Sequence, residues 1–249
     1  MSTAFLITAR LKSTRLPKKI ILEVMGKPLI SHMIDRIKFA KKINKIIICT
    51  STNSQDDLLE KIAVDQNINC FRGSEDDVLQ RLLDASNKFN LKYFANITAD
   101  IPMIDPSSID YGINEYHNVK ADLVLPPDYN LCGSNIVKVS TLSKICQQKQ
   151  KKDTETWLKF FQNHAGIKIH FLDSNKVITN EFIKTSLDYP EDYIFIKKIF
   201  DELYDPKKPF SAKDINDLIK SKPEIAKINS NYIHLKRWDN HRGVGRKFH

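Results

Sequence analysis

Five cations and two hydroxyls fall within eleven residues near the start of the chain, Ala9-Arg10-Leu11-Lys12-Ser13-Thr14-Arg15-Leu16-Pro17-Lys18-Lys19. The stretch follows directly on an apolar run, Phe5-Leu6-Ile7, where a strand would open into a loop. A nucleoside triphosphate carries about four negative charges, and nucleotidyl transfer is catalysed mostly by positioning and charge neutralisation, so such a loop has the composition to hold one. A solvated basic loop explains the same residues. A P-loop is excluded, because no G-x-x-x-x-G-K-[ST] run occurs. Two carboxylates stand out further on, in Thr98-Ala99-Asp100-Ile101-Pro102 and in Ser186-Leu187-Asp188-Tyr189-Pro190-Glu191-Asp192. Taken singly, Asp100 reads as a turn residue ahead of Pro102, and Asp188 as a helix cap.

These groups matter only if the elements between them bring them to one place. Short apolar runs at 4–8, 45–50, 69–72 and 93–98 read as strands. Between them, 29–40 carries Leu29, Ile30, Met33, Ile34 and Ile37 at helical spacing, and 56–66 and 76–89 also read as helices. Strands alternating with helices of that length predict parallel β-α-β units in a three-layer α/β sheet. Ligands in such sheets bind at the carboxyl ends of the strands, which here are 9–19, 50–52, 72–74 and 99–102. From 121 the rhythm changes: 122–127, 136–139 and 167–171 look like strands and 140–149 like a helix, predicting a small inserted sheet. A strand-to-helix transition is expected over 184–203, with Pro190 in the first helical turn and Glu191 and Asp192 near its positive end. The last residues, 236–249, form a basic tail with Arg237, Arg242, Arg246 and Lys247.

At this point the sequence resembles a known family. Ala9 to Lys19, followed by Gly26-Lys27-Pro28, is similar to the signature loop of the cytidylyltransferases that activate 3-deoxy-manno-octulosonate (Kdo) and sialic acid. Phe71-Arg72-Gly73-Ser74-Glu75-Asp76-Asp77-Val78-Leu79-Gln80-Arg81 and Thr98-Ala99-Asp100-Ile101-Pro102-Met103-Ile104-Asp105-Pro106 look like the branch typified by spore-coat polysaccharide biosynthesis protein F. Leu187-Asp188-Tyr189-Pro190-Glu191-Asp192 is similar to that branch's V-D-T-P-E-D element. The four motifs keep the family's order over about residues 4 to 200, whereas 121–180 matches poorly.

The resemblance implies a Rossmann-like nucleotide-diphospho-sugar transferase fold, three-layered, with a mostly parallel central sheet and a small inserted sheet. It implies a single domain over 1–235 in which 121–180 serves acceptor binding or dimerisation. It also implies the reaction: CMP moves from CTP to a sugar-acid or related anionic acceptor, pyrophosphate leaves, and the product feeds surface polysaccharide or glycoconjugate synthesis. Arg10, Arg15 and Lys19 would hold the triphosphate as catalytic groups, with Ala9, Ser13 and Thr98 beside the nucleotide. Arg72 and Arg81 would serve base, ribose or phosphates, oriented by Asp77, with structural salt bridges as the other reading of the same residues. Asp100 and Asp188 would bind Mg²⁺, and the chain would work as a homodimer. Leu11 and Lys12 stand where the sialic acid enzymes have glycines, and the Q-G-D-E-P of the Kdo enzymes is absent, so neither acceptor is singled out. A phosphorylated or phosphonate acceptor stays open. So does a nucleotide-sugar-dependent glycosyltransferase of the related fold, although Asp100-Ile101-Pro102 lacks the second aspartate of a D-x-D motif.

Bulk properties narrow the field further. The chain has 249 residues, 41% hydrophobic and 28% charged, and a net charge of +9. That suits one sizeable core and anionic partners. Much of the excess is scattered lysine, and no nucleic-acid-binding signature occurs, so a nucleic-acid partner is not expected. Met1-Ser2-Thr3-Ala4 has no basic n-region and no run reaches a membrane span, which predicts a cytoplasmic protein with no membrane contact. Cys49, Cys70, Cys132 and Cys146 read as reduced thiols, and the histidines show no metal spacing. His32 reads as a core residue, and the aromatic stripe at 154–161 as core or as an acceptor or dimer helix.

Overall fold

The structure is a computed structural model that describes residues 3–127, 132–173 and 183–232. Nine strands and nine α-helices are found among them, in the order β1 (Ala4–Thr8), β2 (Glu23–Val24), β3 (Lys27–Pro28), α1 (Leu29–Ile37), β4 (Lys45–Ser51), α2 (Asp57–Asp65), β5 (Asn69–Gly73), α3 (Val78–Lys88) and β6 (Tyr93–Thr98). There follow α4 (Pro106–Val119), β7 (Leu123–Leu125), β8 (Asn135–Lys138), α5 (Val139–Gln148), α6 (Leu158–Gln162), β9 (Ile169–Phe171), α7 (Pro190–Leu203), α8 (Ala212–Ser221) and α9 (Glu224–Lys227).

Seven strands form one sheet in the order β5-β4-β1-β6-β8-β7-β9. Pairing is parallel from β5 through β6 and between β7 and β9, and antiparallel where β8 meets β6 and β7. The central strands are apolar on both faces, which only a sheet covered on both sides tolerates. Phe5, Ile7, Ile46, Ile48, Ala95 and Ile97 face one layer with α1, α2 and α4, while Leu6, Ile47, Cys49 and Phe94 face the other with α3, α5 and α6. Each of the Phe, Leu and Ile side chains among them, when fully buried, contributes about 1.5–3 kcal/mol. The three-layer α/β architecture with a mostly parallel sheet is thus observed. So is a small second sheet, but it is the β2–β3 hairpin, turned by Met25 and Gly26 at φ 52° and 72°. The strands of the 121–171 stretch join the central sheet instead, because β8 pairs with the otherwise open edge of β6.

Two further differences bear on the site. Among the described residues 183–189, directly ahead of α7, no strand is formed; Leu187 N–H donates to Asp100 O at 2.8 Å and ties this segment to the turn after β6. A third apolar cluster, built from Leu187, Phe195, Ile199, Phe200, Phe210, Ile215 and Ile219, packs α7 and α8 together with Leu29 and Met103. Among the described residues no helix is long and apolar enough to cross a membrane, and all four cysteines are free. His32 is buried, its Nε2 2.7 Å from Val24 O, and Trp157 and Phe161 of the aromatic stripe lie in the core. The basic tail at 236–249 lies outside the described residues, as does part of 121–180.

Candidate active site

Register sets the site. Thr8 at the end of β1 stands level with Cys49 of β4 and Thr98 of β6, so the first loop, the turn after Ser51 and Asp100 all leave the sheet at one edge. Ala9 N–H continues the pairing to Cys49 O, and Ala99 N–H to Thr8 O. Asp56, fully buried, anchors the loop by accepting Leu11 N–H at 2.8 Å and the Ser51 hydroxyl at 2.5 Å. Lys18 then takes a left-handed backbone, φ 54°, at a cost of about 1–2 kcal/mol for an L residue. That turn starts the short 3₁₀ helix Lys19–Ile21 and delivers Lys19 to the carboxylates.

Lys19 Nζ lies 3.1 Å from Asp100 Oδ2, 3.1 Å from Asp188 Oδ1 and 2.5 Å from Leu187 O. Arg15 Nη2 lies 2.8 Å from the same Asp188 Oδ1, and its guanidinium sits 5.4 Å from the centre of the Tyr189 ring. Thr98 Oγ1 donates to Asp100 Oδ1 at 2.5 Å. Two carboxylates 88 positions apart therefore meet at one ammonium, with the Leu187 carbonyl beside them. Burial alone would lower the Lys19 pKa; Asp100 and Asp188 outweigh it and hold the group above its ordinary value, so it stays charged.

The remaining predicted residues fall into a neighbouring group. Arg10 donates to Glu75 O at 3.0 Å and to Glu155 Oε1 at 2.8 Å. Arg81 is fully buried under the same turn and donates to Ser74 O and Glu75 O. Burial, first of all, lowers its pKa from the usual arginine value. Ser13 accepts Leu16 N–H at 3.4 Å within the loop. Arg72 is committed elsewhere: it bonds Ser51 O, Asn53 O, Glu60 and Asp57, which is the structural salt-bridge arrangement. Asp77 bonds neither arginine. It caps α3 through Gln80 N–H and pairs with Lys149 and Thr154.

Sequence reasoning overlooked Asp56, Glu75, Glu155, Lys184 and Asn229. Asp56 reaches Leu11, Glu75 and Glu155 reach Arg10, and Asn229 reaches Lys184 across 45 residues or more, whereas Lys184, four before Asp188, is a local signal. Asp192 was expected near the helix start, and it accepts the Asp188 and Tyr189 N–H groups at 2.9 and 3.0 Å.

The donor set suits a small hard cation. Asp100 and Asp188 converge on one positively charged point, and no group of three or more potential ligands gathers among the described residues. Two carboxylates completed by substrate phosphates and water are the usual seat of Mg²⁺.

Comparison with known proteins shows the family. A family model described as cytidylyltransferase matches residues 4–214. The spore coat polysaccharide biosynthesis protein SpsF of Bacillus subtilis (strain 168) is 26% identical over 231 residues, covering 89% of this chain and 95% of that one. A cytidylyltransferase structure from Leptospira borgpetersenii superposes with TM-score 0.81 at 26% identity, covering 91% of this chain and 97% of the other. A CMP-2-keto-3-deoxy-manno-octonic acid synthetase solved in complex with CTP has TM-score 0.67 at 14% identity, covering 81% and 99%; that likeness is one of fold.

Proposed function

The chain is an enzyme of the cytidylyltransferase family, and from that premise we propose that it transfers CMP from CTP to a small anionic, sugar-acid-like acceptor at the edge where Lys19, Asp100 and Asp188 meet. The observation that carries the reading is the Lys19 ammonium shared by Asp100 and Asp188, with Arg15 on the same Asp188 oxygen. The acceptor oxygen would bond to the α-phosphorus as the bond to pyrophosphate breaks, with loss of the proton where the acceptor is a hydroxyl. Arg15 and Lys19 would meet the charge that builds on the α-phosphate and the departing pyrophosphate. Arg10 and Ser13 would extend the contact along the triphosphate, and Ala9 and Thr98 line the strand ends beside it. Asp100 and Asp188 would hold Mg²⁺, whose contribution is to neutralise and orient the phosphate oxygens. The lack of a second carboxylate at Pro102 gives no support to the glycosyltransferase alternative. SpsF, named for spore-coat polysaccharide, supports a role in surface polysaccharide or glycoconjugate synthesis. A homodimer through 121–180 belongs to the same proposal; Phe171 at the β9 end of the sheet is half exposed there.

The test is thermal unfolding with CTP, ATP, GTP or UTP, with and without Mg²⁺, beside pyrophosphate release across acceptors bearing a carboxylate, phosphate or phosphonate. A ligand at a hundred times its Kd stabilises by about 2.7 kcal/mol. A CTP-selective, Mg²⁺-enhanced shift that disappears in Arg15→Ala is the expected result. Equal shifts with all four nucleotides, and no pyrophosphate with any acceptor, would sink the proposal.

A further inference from the structure

The two oxygens of Asp188 face in opposite directions. Oδ1 is turned to the basic loop, 2.8 Å from Arg15 and 3.1 Å from Lys19. Oδ2 is turned inward and lies 3.3 Å from the Nζ of Lys184. That lysine has no exposed surface, and neither does Asp192, with which it forms a second ion pair. Nζ also donates to Ser186 O at 2.7 Å. Asn229 closes the group from the far side, its Nδ2 2.9 Å from both Lys184 O and Asp192 Oδ1.

Stability does not explain a fully buried lysine. Replacing a buried ion pair by apolar side chains of similar volume is often neutral or favourable. What the ammonium supplies, and an apolar group could not, is a fixed orientation for the carboxylate that reaches the site. Taking Asp188 as a metal-holding group, as read above, we infer that Lys184 is a positioning residue that reserves Oδ2, so that Asp188 offers the site one oxygen only. This bears on which cation the site accepts. Mg²⁺ demands near-octahedral single-oxygen ligands, whereas Ca²⁺ takes six to eight oxygens and readily uses both oxygens of a carboxylate. Releasing Oδ2 therefore favours Ca²⁺ over Mg²⁺, whatever it does to overall affinity.

The experiment follows the electron paramagnetic resonance signal of Mn²⁺ bound to the full chain with CTP, displaced by Mg²⁺ or by Ca²⁺. In Lys184→Gln and Lys184→Met the Ca²⁺-to-Mg²⁺ displacement ratio rises on the order of tenfold, the scale on which groups behind a ligand act. Should these not fold, the double variant Lys184→Met with Asp192→Asn, which removes both charges of the buried pair, carries the same expectation. Asn229→Ala loosens the same network without touching Asp188, and it lowers the unfolding midpoint while leaving the ratio at the wild-type value. A wild-type ratio in the folded Lys184 variants overturns the inference, as does an equal shift in Asn229→Ala. Asp188→Asn separates the two levels: if it binds Mn²⁺ as wild type does, the metal reading of Asp188 itself is wrong.

Discussion

Arg10 meets its counter-charge at the surface. Its partner Glu155 has a side chain 71% exposed, while Arg10 itself is mostly covered. Exposed pairs of this kind are worth about 0.2–1 kcal/mol. A triphosphate must take Arg10 over from Glu155, so Glu155→Gln should lower the KM for CTP, by no more than about fivefold, with kcat little changed. Steady-state kinetics on that variant decide it, and a raised KM would remove Arg10 from the triphosphate contacts. At this scale the sequence was legible where type and place coincide. Arg15 and Lys19 could be named because a basic loop follows an apolar run, whereas Asp100 and Asp188, which singly read as a turn residue and a helix cap, were named through the family resemblance. Arg72 and Asp77 lay in an equally suggestive motif, yet their side chains turn to Glu60 and Lys149. Nothing in the order of residues reveals which way a side chain leaves the end of a strand.

The junction of β5 and α3 shows how an element holds a residue from a distance. Gly73 ends β5, and a Cβ placed there would sit 3.0 Å from Phe71 Cε1 and 3.1 Å from Arg81 Cγ. The gap lets Arg81 run beneath the turn and hold the Ser74 and Glu75 carbonyls, the second of which also receives Arg10. Gly73→Ala should destabilise by about 1–3 kcal/mol, as overpacking does, and raise the KM for CTP through Arg10. Urea unfolding and CTP kinetics on the same preparation test both halves; a stable variant with unchanged KM contradicts the link. Elements were readable where pattern is local. β1, β4 and β6 each carry an apolar run, and Pro190 marks the start of α7. The capping box of α8, Ser211 with Asp214, and Asp105 before α4 were equally local signals, left unread. The destination of β7 to β9 was not readable, because it rests on the non-local pairing of Phe94 with Val137 and its neighbours.

For the whole molecule, the decisive contact is Arg36 of α1. Buried, it donates to Ile104 O at 2.8 Å and to Phe210 O at 2.5 Å, with its guanidinium 4.1 Å from the centre of the Phe210 ring. Burial pulls its pKa down to about 10. One side chain thus joins the first layer, the turn after β6 and the segment between α7 and α8. Arg36→Met leaves buried carbonyls without donors, each costing about 1–3 kcal/mol. The expected outcome is a lower Tm together with faster amide exchange over 183–232, and weaker CTP stabilisation because Asp188 belongs to that segment. Exchange confined to α1 would contradict it.

The Asn229 contacts to Lys184 and Asp192 have a consequence in time. A ribosome adds residues at roughly 5–20 per second, so the 58 residues from the end of β9 at Phe171 to Asn229 take roughly three to twelve seconds of synthesis. Through that interval the sheet and its basic loop are complete, while the segment that carries Asp188 still lacks its final fastening. The nascent chain thus holds its sheet and basic loop before Asn229 fastens the segment that carries Asp188.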